Sequence, residues 1–425
     1  MKAVVLAAGE GVRLRPLTST RPKHMLPVGG KPLLEHMLQA LKATGIEDVA
    51  LVVGYEGEKI RSHFGRGESL GLRLSYFVQE RALGTANAVA LVEQYAEGAD
   101  FLLVYGDLLL TSAAFNELLR GHRRHGMMAM AVVPVEEPSQ FGVVQVEDGM
   151  VKSIVEKPKE AVQGNLINAG MYVLSNDIFK HIEKTAKSQR GEYEFTDTLQ
   201  AFLAKGEKIE AALIGAKDWL DIGRPWNLLE ANERVLKGIV PKVEGTVEDG
   251  AHLAGSVLVG EGARIRSGVY VEGPVLIGAG SDVGPNCYLR PCTSLGRNVR
   301  VGNACEVKNS IIMEGTHIGH LSYVGDSVIG EECNLGAGTI TANLRFDSLP
   351  VRVLIKNEVF DSGLRKLGAF LGDGVKTGVG TLIMPGVKIG SNSSVGPGVV
   401  LTRDVEENTL VLLEQATHRT MTGKK

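Results

Sequence analysis

Aliphatic residues recur at every sixth position through most of the second half of the chain. The spacing holds without a break from Val259 to Val307, and a glycine directly follows several of these aliphatic residues. After a shift of register the period resumes at Ile312, and it returns between Leu371 and Leu401. A period of six fits neither an α-helix nor an array of hairpins, but it is typical of a β-solenoid whose coils are triangular. The pattern predicts a left-handed parallel β-helix of hexapeptide repeats, with the aliphatic side chains inside.

Up to about residue 235 the chain follows a different pattern, in which short apolar runs alternate with helical segments. The runs KAVVLAAG (2–9) and DVALVVGY (48–55) are rich in β-branched residues and bounded by glycine, as buried strands are. Strand–helix–strand order predicts an α/β domain, Rossmann-like, with a mostly parallel sheet. We expect this domain to span 1–236, a linker to span 237–250 and the β-helix to span 251–425.

Composition and charge restrict the class of protein. The 425 residues include 53 glycines and carry a formal net charge of −3, which gives no electrostatic reason to expect a nucleic-acid or membrane partner. None of the four cysteines stands in a CxxC pair, so neither a zinc site nor a redox motif is indicated. The N-terminus lacks the features of a signal peptide, and no apolar run reaches the length of a membrane helix. We therefore expect a cytoplasmic protein with small-molecule substrates and reduced cysteines.

A glycine-rich segment with basic residues follows the first predicted strand. Within LAAGEGVRLRPLTSTRPKHMLPVGGKP, Gly9 and Gly11 let the backbone approach a ligand, while Arg13 and Lys23 supply positive charge for phosphates. The third glycine of the dinucleotide-binding fingerprint is missing, because position 14 is leucine. The spacing alone leaves a phosphate-binding loop and an ordinary glycine-rich turn equally open.

The GxGxR pattern, followed by a PK pair close to LP, resembles the signature of the sugar-1-phosphate nucleotidylyltransferases. The resemblance continues along the first half of the chain through QERALGTANAV, YGD, FGVV, VEKP, NAG, GEYEFTDTL and WLDIG. It implies transfer of a nucleotidyl group from UTP or dTTP to a sugar 1-phosphate, with release of pyrophosphate. Reactions of this kind depend mainly on alignment and charge neutralisation, and little on covalent chemistry by side chains.

The resemblance also implies roles for individual residues. Arg13 and Lys23 are expected to be catalytic, because they would steady the triphosphate and the leaving group. Asp107 and Asp221 are expected to hold Mg²⁺, a hard cation that prefers carboxylate and phosphate oxygens. The residues expected to bind the nucleotide and the sugar phosphate are Gly9, Gly11, Gln79, Gly84, Thr85, Gly142, Glu156, Lys157 and Asn168.

Polar and basic residues interrupt the period of six in successive repeats of the solenoid. They stand where other repeats have glycine or a small residue, in the segments YLRPC, CEVKNS, GHLSYVGD and EECNLGAGTITANL. A lone histidine on such a surface is usually solvated, and a lone tyrosine is often a partly buried cap. A cluster of polar residues over several coils is instead the pattern expected of a site carried on a scaffold.

In order and spacing these residues resemble the acetyltransferase half of the bifunctional N-acetylglucosamine-1-phosphate uridylyltransferase/glucosamine-1-phosphate acetyltransferases. The resemblance implies that His320 is the general base that takes a proton from the sugar 2-amino group, which then attacks acetyl-CoA. Imidazole suits this task because it exchanges protons near neutral pH. We expect Glu306 to orient His320. The residues expected to bind the sugar phosphate or to position the sugar and the base are Arg290, Lys308, Tyr323, Asn334 and Asn343.

Residues 341–368 break the period and are expected to form a projecting loop. Here the chain departs from the bacterial enzymes, because Leu344 replaces a tyrosine and an expected lysine is missing, so that Lys356 or Arg352 is expected to serve instead. Val379 stands roughly where a serine would stabilise the oxyanion. The segment looks more like the archaeal-type bifunctional enzymes, and both glucosamine-1-phosphate and galactosamine-1-phosphate stay open as acceptors.

Three hypotheses follow from these patterns. The first is a bifunctional enzyme, for which the resemblance implies a homotrimer with acetyl-transfer sites between neighbouring solenoids. The second is a sugar-1-phosphate nucleotidylyltransferase whose solenoid is an oligomerisation or regulatory module, and the polar cluster around His320 argues against it. The third is an inactive regulatory subunit, against which the presence of Arg13, Lys23, Asp107 and Asp221 argues.

Overall fold

The computed structural model describes residues 1–158 and 164–416, and in this part the chain forms two compact units. The first unit comprises Met1–Val12, Thr20–Pro27 and Lys31–Gly223, and the second comprises Arg13–Ser19, Val28–Gly30 and the chain from Arg224 onward. None of the helices in the described ranges is both long and apolar enough to cross a bilayer.

A nine-stranded sheet lies at the centre of the first unit, counted over the described residues. Its strands in chain order are β1 (Lys2–Ala7), β2 (Asp48–Val53), β3 (Arg73–Val78), β4 (Phe101–Tyr105), β5 (Met128–Pro134), β6 (Gly142–Glu147), β7 (Met150–Glu156), β8 (Leu166–Leu174) and β9 (Ile209–Leu213). Their spatial order is β3-β2-β1-β4-β8-β5-β9-β7-β6. The strands from β3 to β4 run parallel, as do β5 and β9, whereas the remaining neighbours are antiparallel. The sheet is therefore parallel around β1, as predicted, and mixed beyond β4, where a hairpin such as β6–β7 replaces the crossover.

Helices pack on both faces of this sheet, because alternate residues of its buried strands enter two separate apolar clusters. Along β1, for example, Ala3, Val5 and Ala7 belong to one cluster and Val4 and Leu6 to the other. The helices of the first unit are Leu33–Ala43, Gly57–Phe64, Thr85–Ala90, Glu93–Ala96, Ser112–His125, Ile178–Ile182 and Phe195–Ala204. Short strands lie at Pro27–Val28, Lys31–Pro32, Leu108–Leu110 and Trp219–Asp221, and 3₁₀ turns at Val12–Leu14, Lys23–Met25, Glu68–Leu70, Pro138–Gln140 and Ala216–Asp218.

The second unit contains the predicted β-helix, whose strands stack into three parallel sheets, here called the first, second and third faces. The first face consists of Lys242–Val243, Val257–Val259, Val275–Ile277, Thr293–Leu295, Ile311–Ile312, Val328–Ile329, Phe370–Leu371 and Lys388–Ile389. The second consists of Thr246–Val247, Arg264–Ile265, Asp282–Val283, Arg300–Val301, His317–Ile318, Asn334–Leu335, Lys376–Thr377, Ser394–Val395 and Leu410–Val411. The third consists of His252–Ala254, Tyr270–Glu272, Tyr288–Leu289, Glu306–Lys308, Tyr323–Gly325, Ile340–Thr341, Leu382–Ile383 and Val400–Leu401.

The aliphatic residues of the six-residue period fill the interior of these coils, as predicted. Val259, Ile277 and Leu295, for instance, stack in register on the first face and are fully buried. Burial of successive aliphatic layers is the main stabilising contribution in such a repeat, at roughly 25 cal/mol for each Å² of apolar surface removed from water. The stack therefore fixes where every outward-facing side chain of the solenoid lies.

The coils are irregular at the turn from the third face to the first face, here called the third corner. One residue is missing from this turn between Val307 and Ile312 and again between Val324 and Ile329, and the next turn holds the long insertion after Thr341. The three irregular turns lie on top of one another in successive coils. Deviations from the repeat are thus concentrated at one edge of the solenoid.

The insertion is more ordered than the projecting loop that its broken period predicted. It contains an antiparallel hairpin, Arg352–Ile355 with Glu358–Asp361, whose two turn residues have the positive φ angles of a tight hairpin turn. Val351, Val353 and Ile355 are buried, so one side of the hairpin is packed and the other is exposed. The alternation of apolar and exposed side chains in this segment is that of a half-buried strand.

The structure also differs from the predicted boundaries between the two halves of the chain. The helix Asn227–Leu236 groups with the second unit, and the segment predicted to be a linker already contains the strands Lys242–Val243 and Thr246–Val247. Both strands pair in parallel with the next coil of the solenoid. The first coil combines proline and glycine with several charged residues, which is why its sequence is similar to that of a linker.

Candidate active sites

The segment after β1 brings Lys23 next to Gly9 and Asp107. A Cβ atom on Gly9 would lie 3.6 Å from Cε of Lys23, and the ammonium group of Lys23 forms an ion pair with the carboxylate of Asp107. Burial raises the pKa of Asp107, but the charge and the hydrogen bond of Lys23 outweigh that effect and leave the pKa below its usual value. Asp107 follows β4, so the charged pair lies at the carboxyl edge of the parallel strands, where α/β folds bind their ligands.

Asp221 is held beside Asp107 by a short antiparallel ribbon. Strands Leu108–Leu110 and Trp219–Asp221 pair with each other, and the N–H group of Ile222 donates to the carbonyl oxygen of Asp107 at 3.0 Å. The described residues include no group of three or more histidine, cysteine or acidic side chains that could hold a metal ion. The backbones of Asp107 and Asp221 are adjacent, and a pair of carboxylates suits Mg²⁺ that takes its other ligands from phosphate oxygens and water.

His24 lies buried behind this ion pair and was not singled out by the sequence patterns. A Cβ atom on Gly106 would lie 3.0 Å from Cδ2 of the ring, and burial together with the positive charge of Lys23 lowers the pKa of His24 to about 3. Its Nδ1 atom has no hydrogen-bond partner within the described ranges. A neutral imidazole therefore packs tightly under the backbone that carries Asp107.

Three of the residues predicted to bind the substrates, Gln79, Gly84 and Thr85, meet around the start of helix Thr85–Ala90. The side-chain amide of Gln79 donates to the carbonyl oxygen of Gly84 at 3.1 Å and to Oδ1 of Asn87 at 2.9 Å. The carbonyl oxygen of the Gln79 amide is thereby left to accept. Gly84 has a φ of 112°, and a Cβ there would lie 2.5 Å from a backbone oxygen, so this turn requires glycine. Thr85 fixes the turn by accepting from the N–H group of Phe195 at 2.9 Å.

The residues predicted to bind the sugar lie together on β6, β7 and β8. Gly142 pairs with Glu156 across the β6–β7 hairpin, and a Cβ on Gly142 would lie 3.0 Å from a Glu156 carboxylate oxygen and 3.6 Å from Cβ of Asn168. Lys157 is exposed and places its ammonium group 3.9 Å from Glu156. Arg190, which the sequence patterns did not single out, lies 3.7 Å from Glu156 and forms an ion pair with Glu194 at 2.8 Å.

Two tyrosines lie beneath Asn168: Tyr172, which is fully buried, and Tyr105, which is partly buried. The side-chain amide of Asn168 lies 2.6 Å from the Tyr172 hydroxyl, and the ring of Tyr105 is 6.0 Å from that of Tyr172. Burial raises the pKa of both phenols well above the ordinary value, so both remain protonated hydrogen-bond donors. A Cβ on Gly170 would meet the Tyr105 ring at 2.9 Å, which explains the glycine in NAG.

Gly11 and Arg13, two residues predicted to bind phosphates, lie in the segment that follows β1. Gly11 has a positive φ of 72°, as a tight turn requires. Arg13 is exposed in the turn Val12–Leu14 and belongs to the segment that groups with the second unit. Its assignment to the phosphates stays a prediction.

On the solenoid, Arg290 and Glu306 face outward from neighbouring coils of the third face. The Arg290 guanidinium donates to Glu306 at 2.8 Å and lies 5.6 Å from the centre of the Tyr288 ring. The carboxylate of Glu306 is thus engaged by Arg290 within one chain, and the expectation that Glu306 orients His320 stays a prediction. Adjacent coils bring outward side chains of the same face together, whereas His320 lies outside that face.

The third corner carries a connected polar cluster, here called the corner cluster: Lys308, Asn309, Tyr323, Asp326 and Asn343. Asp326 accepts from Lys308 at 3.1 Å and from Asn309 at 2.8 Å, and the Asn343 amide donates to Asp326 and, at 2.9 Å, to the Tyr323 hydroxyl. Burial and the charge of Asp326 raise the pKa of Tyr323. Asp326 thus connects Lys308, Asn343 and, through Asn343, Tyr323. The family pattern predicted these three residues but did not include Asp326.

His320 and Asn334 lie elsewhere on the coil. Asn334 faces outward from the second face, and His320 is exposed on the turn between the second and third faces. The backbone oxygen of His320 accepts from the Ser322 hydroxyl at 2.8 Å and from the N–H group of Gly338 at 3.1 Å. Within one chain, the predicted acetyl-transfer residues therefore form two groups at opposite edges of the third face.

Comparison with protein-family models identifies both halves of the chain. Residues 2–238 match the family described as nucleotidyl transferase, residues 368–403 match the bacterial transferase hexapeptide (six repeats), and residues 271–383 match the GMPPB C-terminal domain. The first match spans more than half of the chain.

Comparison with individual proteins extends the similarity over nearly the whole length. The chain is 46% identical to the bifunctional protein GlmU of Methanococcus maripaludis over 97% of both chains. It is 42% identical to a bifunctional sugar-1-phosphate nucleotidylyltransferase/acetyltransferase of Sulfurisphaera tokodaii, over 95% of this chain and 98% of that protein. A Bacillus anthracis structure named as a glucose-1-phosphate thymidylyltransferase matches 57% of this chain and 97% of its own, at 29% identity and a TM-score of 0.51.

Proposed function

Because the chain belongs to the nucleotidyl transferase family and, within it, to the bifunctional GlmU-type proteins, we propose that it catalyses two successive reactions. The first transfers an acetyl group from acetyl-CoA to the 2-amino group of glucosamine-1-phosphate. The second transfers a uridylyl group from UTP to the resulting N-acetylglucosamine-1-phosphate and releases pyrophosphate. The observation that carries the proposal of two activities is the corner cluster, since an inert scaffold has no need of a buried carboxylate that engages a lysine and two asparagines.

In the nucleotidyl reaction, a phosphate oxygen of the sugar phosphate attacks the α-phosphorus of the nucleotide as pyrophosphate leaves. Lys23 neutralises charge on the phosphates from the edge of the sheet, close to the backbone of Gly9. Asp107 and Asp221 would hold Mg²⁺, which when bound would neutralise further charge on the phosphate oxygens. Arg13 is proposed to assist from the following turn.

The incoming sugar phosphate is proposed to lie over β6, β7 and β8. The Glu156 carboxylate accepts hydrogen bonds from sugar hydroxyls, and the Asn168 amide can donate to them or accept from them. The exposed ammonium group of Lys157 pairs with the phosphate. Gly142 leaves room for a sugar ring, because a side chain at this position would occupy the space beside Glu156. Binding geometry of this kind contributes to rate by aligning the two reactants.

In the acetyl reaction, His320 removes a proton from the sugar ammonium or amino group, and the nitrogen attacks the thioester carbonyl. The new bond is C–N, the C–S bond breaks, and the proton that His320 took from the nitrogen passes to the leaving sulfur, so that coenzyme A leaves as the thiol. Arg290, Lys308 and Tyr323 bind the sugar phosphate, with Asn343 and Asn334 placing the sugar. General-base catalysis of this type contributes about 10²- to 10⁴-fold.

A homotrimer is proposed, because the two groups of acetyl-transfer residues lie at opposite edges of one face. A neighbouring solenoid would complete each site with residues of the other group. Sedimentation equilibrium should give three times the monomer mass, and a monomeric protein that is fully active in acetyl transfer would contradict this arrangement. A cytoplasmic location is also proposed, since the cosubstrates are acetyl-CoA and UTP and the cysteines are free thiols.

The deciding experiment measures thiol release from acetyl-CoA with glucosamine-1-phosphate and with galactosamine-1-phosphate, for the wild type and His320→Ala. We expect release that depends on the amino sugar and falls at least about 100-fold in the variant. His252→Ala is the matched control, since His252 is also an exposed solenoid histidine and lies several coils away. Pyrophosphate release should be unchanged in both variants. No thiol release with either sugar would leave a nucleotidylyltransferase with an inert solenoid.

A further inference from the structure

We propose that Asp326 is a positioning residue of the acetyl-transfer site, whose buried carboxylate sets the orientation of Lys308 and Asn343 toward the amino-sugar phosphate. This inference rests on the proposed function and deepens it. Neither the resemblance nor the comparisons assign a role to Asp326.

The contacts of Asp326 join three successive coils. Its side chain is almost fully buried, and its two carboxylate oxygens lie 3.1 and 3.2 Å from the ammonium group of Lys308 in the preceding coil. Asn309 of that coil donates to it at 2.8 Å, and Asn343 of the following coil donates to it as well. One carboxylate therefore fixes a cation on one side and an amide on the other.

The backbone places this carboxylate firmly. The N–H group of Asp326 donates to the carbonyl oxygen of Lys308 at 2.9 Å, and its own carbonyl oxygen accepts from the N–H group of Gly368 at 2.8 Å. The second bond anchors the returning end of the insertion, whose outgoing end carries Asn343. Asp326 thus stands at the point where the insertion leaves and rejoins the coil.

The turn itself does not require an acid. In the two preceding coils the equivalent positions are occupied by Asn309 and Cys292, whose N–H groups also donate to a backbone oxygen of the coil before. Asp326, Asn309 and Cys292 all have a positive φ. A neutral residue therefore forms this turn elsewhere in the solenoid. The carboxylate is present where Lys308 and Asn343 need a common acceptor.

A fixed anion matters most for Lys308, whose ammonium group ends a chain of four rotatable bonds. Held by Asp326, the ammonium group keeps a defined position, and its remaining N–H groups stay available for a phosphate. Charge-assisted hydrogen bonds are the stronger class in proteins, and loss of one is enough to release such a side chain. Release would weaken binding of the sugar phosphate more than it would change the chemical step.

The test compares Asp326→Asn with Asp404→Asn in the intact protein. Asp404 is the matched control, because it also accepts from a lysine of the solenoid, Lys388 at 3.1 Å, away from the corner cluster. For Asp326→Asn we expect kcat/KM for glucosamine-1-phosphate to fall about tenfold to a hundredfold, mostly through a higher KM. The KM for acetyl-CoA and the rate of pyrophosphate release should not change, and Asp404→Asn should behave as the wild type.

A double-mutant cycle separates positioning from plain stability. If Asp326 acts through Lys308, the change Asp326→Asn should cost little further activity in a Lys308→Met background, whereas independent effects would multiply. Asn309→Ala, which removes a single donor to the carboxylate, provides a milder variant if Asp326→Asn does not fold, and should raise the same KM a few-fold. An unchanged KM in a folded Asp326→Asn or Asn309→Ala variant would overturn the role of Asp326 and leave the proposed function standing. The same conclusion would follow if the effects of Asp326→Asn and Lys308→Met multiplied in the double variant. Absence of acetyl transfer in the wild type would instead overturn the proposed function.

Discussion

At the scale of single residues, hydrogen bonding fixes what the Gln79 amide can recognise. Both donor contacts of its nitrogen are made to Gly84 and Asn87, so the carbonyl oxygen is the part of the amide left for a base. Uracil and thymine present an N3–H donor to such an acceptor, whereas cytosine presents an unprotonated nitrogen. Asn87 thereby becomes the residue that holds the amide in the orientation suited to a uracil-type base.

Replacing Asn87 by leucine should therefore relax the choice of base. Without the Oδ1 acceptor only the longer bond to the Gly84 carbonyl oxygen still favours the present orientation of the Gln79 amide. We therefore expect the ratio of kcat/KM for UTP to that for CTP to fall about tenfold, the value of one neutral hydrogen bond. Asn87→Asp is the matched variant, because a carboxylate still accepts from Gln79 and should keep the ratio. Pyrophosphate release with each nucleotide measures the effect. An unchanged ratio in Asn87→Leu would show that Gln79 is oriented by other contacts.

At the scale of elements, the interior of the solenoid also determines the behaviour of its thiols. Burial raises the pKa of Cys287 and of Cys333 to about 12, because a thiolate between aliphatic layers loses its hydration. Both are free thiols. At pH 8 these thiols should resist alkylation in the folded protein and react only after denaturation.

The same shift predicts how stability depends on pH. A thiol whose pKa is higher in the folded chain favours folding below the unfolded pKa, near 9, and this contribution is lost as the pH rises from about 9 to about 12. Each thiol should steepen the fall in unfolding free energy by about 1.4 kcal/mol per pH unit in that range. Denaturant unfolding of the wild type and Cys333→Ala between pH 8 and 11 checks this, and parallel curves for the two proteins would contradict it.

The element scale also shows what the sequence can and cannot predict. A period of six assigns every residue to a face and to the inside or the outside, because each coil repeats the geometry of the last. It does not identify hydrogen-bond partners between coils, such as the ion pair between Arg290 and Glu306. The apolar alternation in Val351–Ile355 was hidden by the break in the period, and the first coil by its charge.

Irregularity of the repeat was itself informative about the site. The two shortened turns and the insertion carry Lys308, Asp326 and Asn343, so the places where the period fails are the places where the corner cluster lies. Arg190 and Asn87 had weaker signals, since Asn87 is one polar residue inside the matched segment QERALGTANAV and Arg190 directly precedes the matched segment GEYEFTDTL. In the structure Arg190 is identified by its contacts with Glu156 and Glu194, and Asn87 by its hydrogen bond with Gln79.

At the scale of the whole molecule, the two candidate sites draw on separate sets of residues. Lys23, Asp107 and Asp221 belong to the first compact unit, while His320 and the corner cluster belong to the second. The product of the acetyl reaction is a sugar phosphate, which is the substrate class of the nucleotidyl reaction. Two reactions linked by a small diffusible intermediate need not occur on the same chain.

Two variants, each inactive at one site, should therefore complement each other when mixed. Asp107→Asn should still acetylate glucosamine-1-phosphate, and His320→Ala should still use N-acetylglucosamine-1-phosphate, but each alone should make at least about 100-fold less UDP-N-acetylglucosamine from glucosamine-1-phosphate, acetyl-CoA and UTP. An equal mixture should recover about half of the wild-type flux at the same total chain concentration, because half of the chains carry each intact site. Mass spectrometry of the nucleotide sugar identifies the product and separates it from a non-acetylated one.

The double variant Asp107→Asn/His320→Ala, mixed with either single variant, is the control and should not restore the flux. Failure of the two single variants to complement, with each retaining its own half-reaction, would mean that the intermediate does not pass freely between chains. Loss of both half-reactions in either variant would mean that the two sites depend on one another. Recovery of about half of the wild-type flux by mixing would establish that the two sites can work on separate chains and that a released sugar phosphate links their reactions.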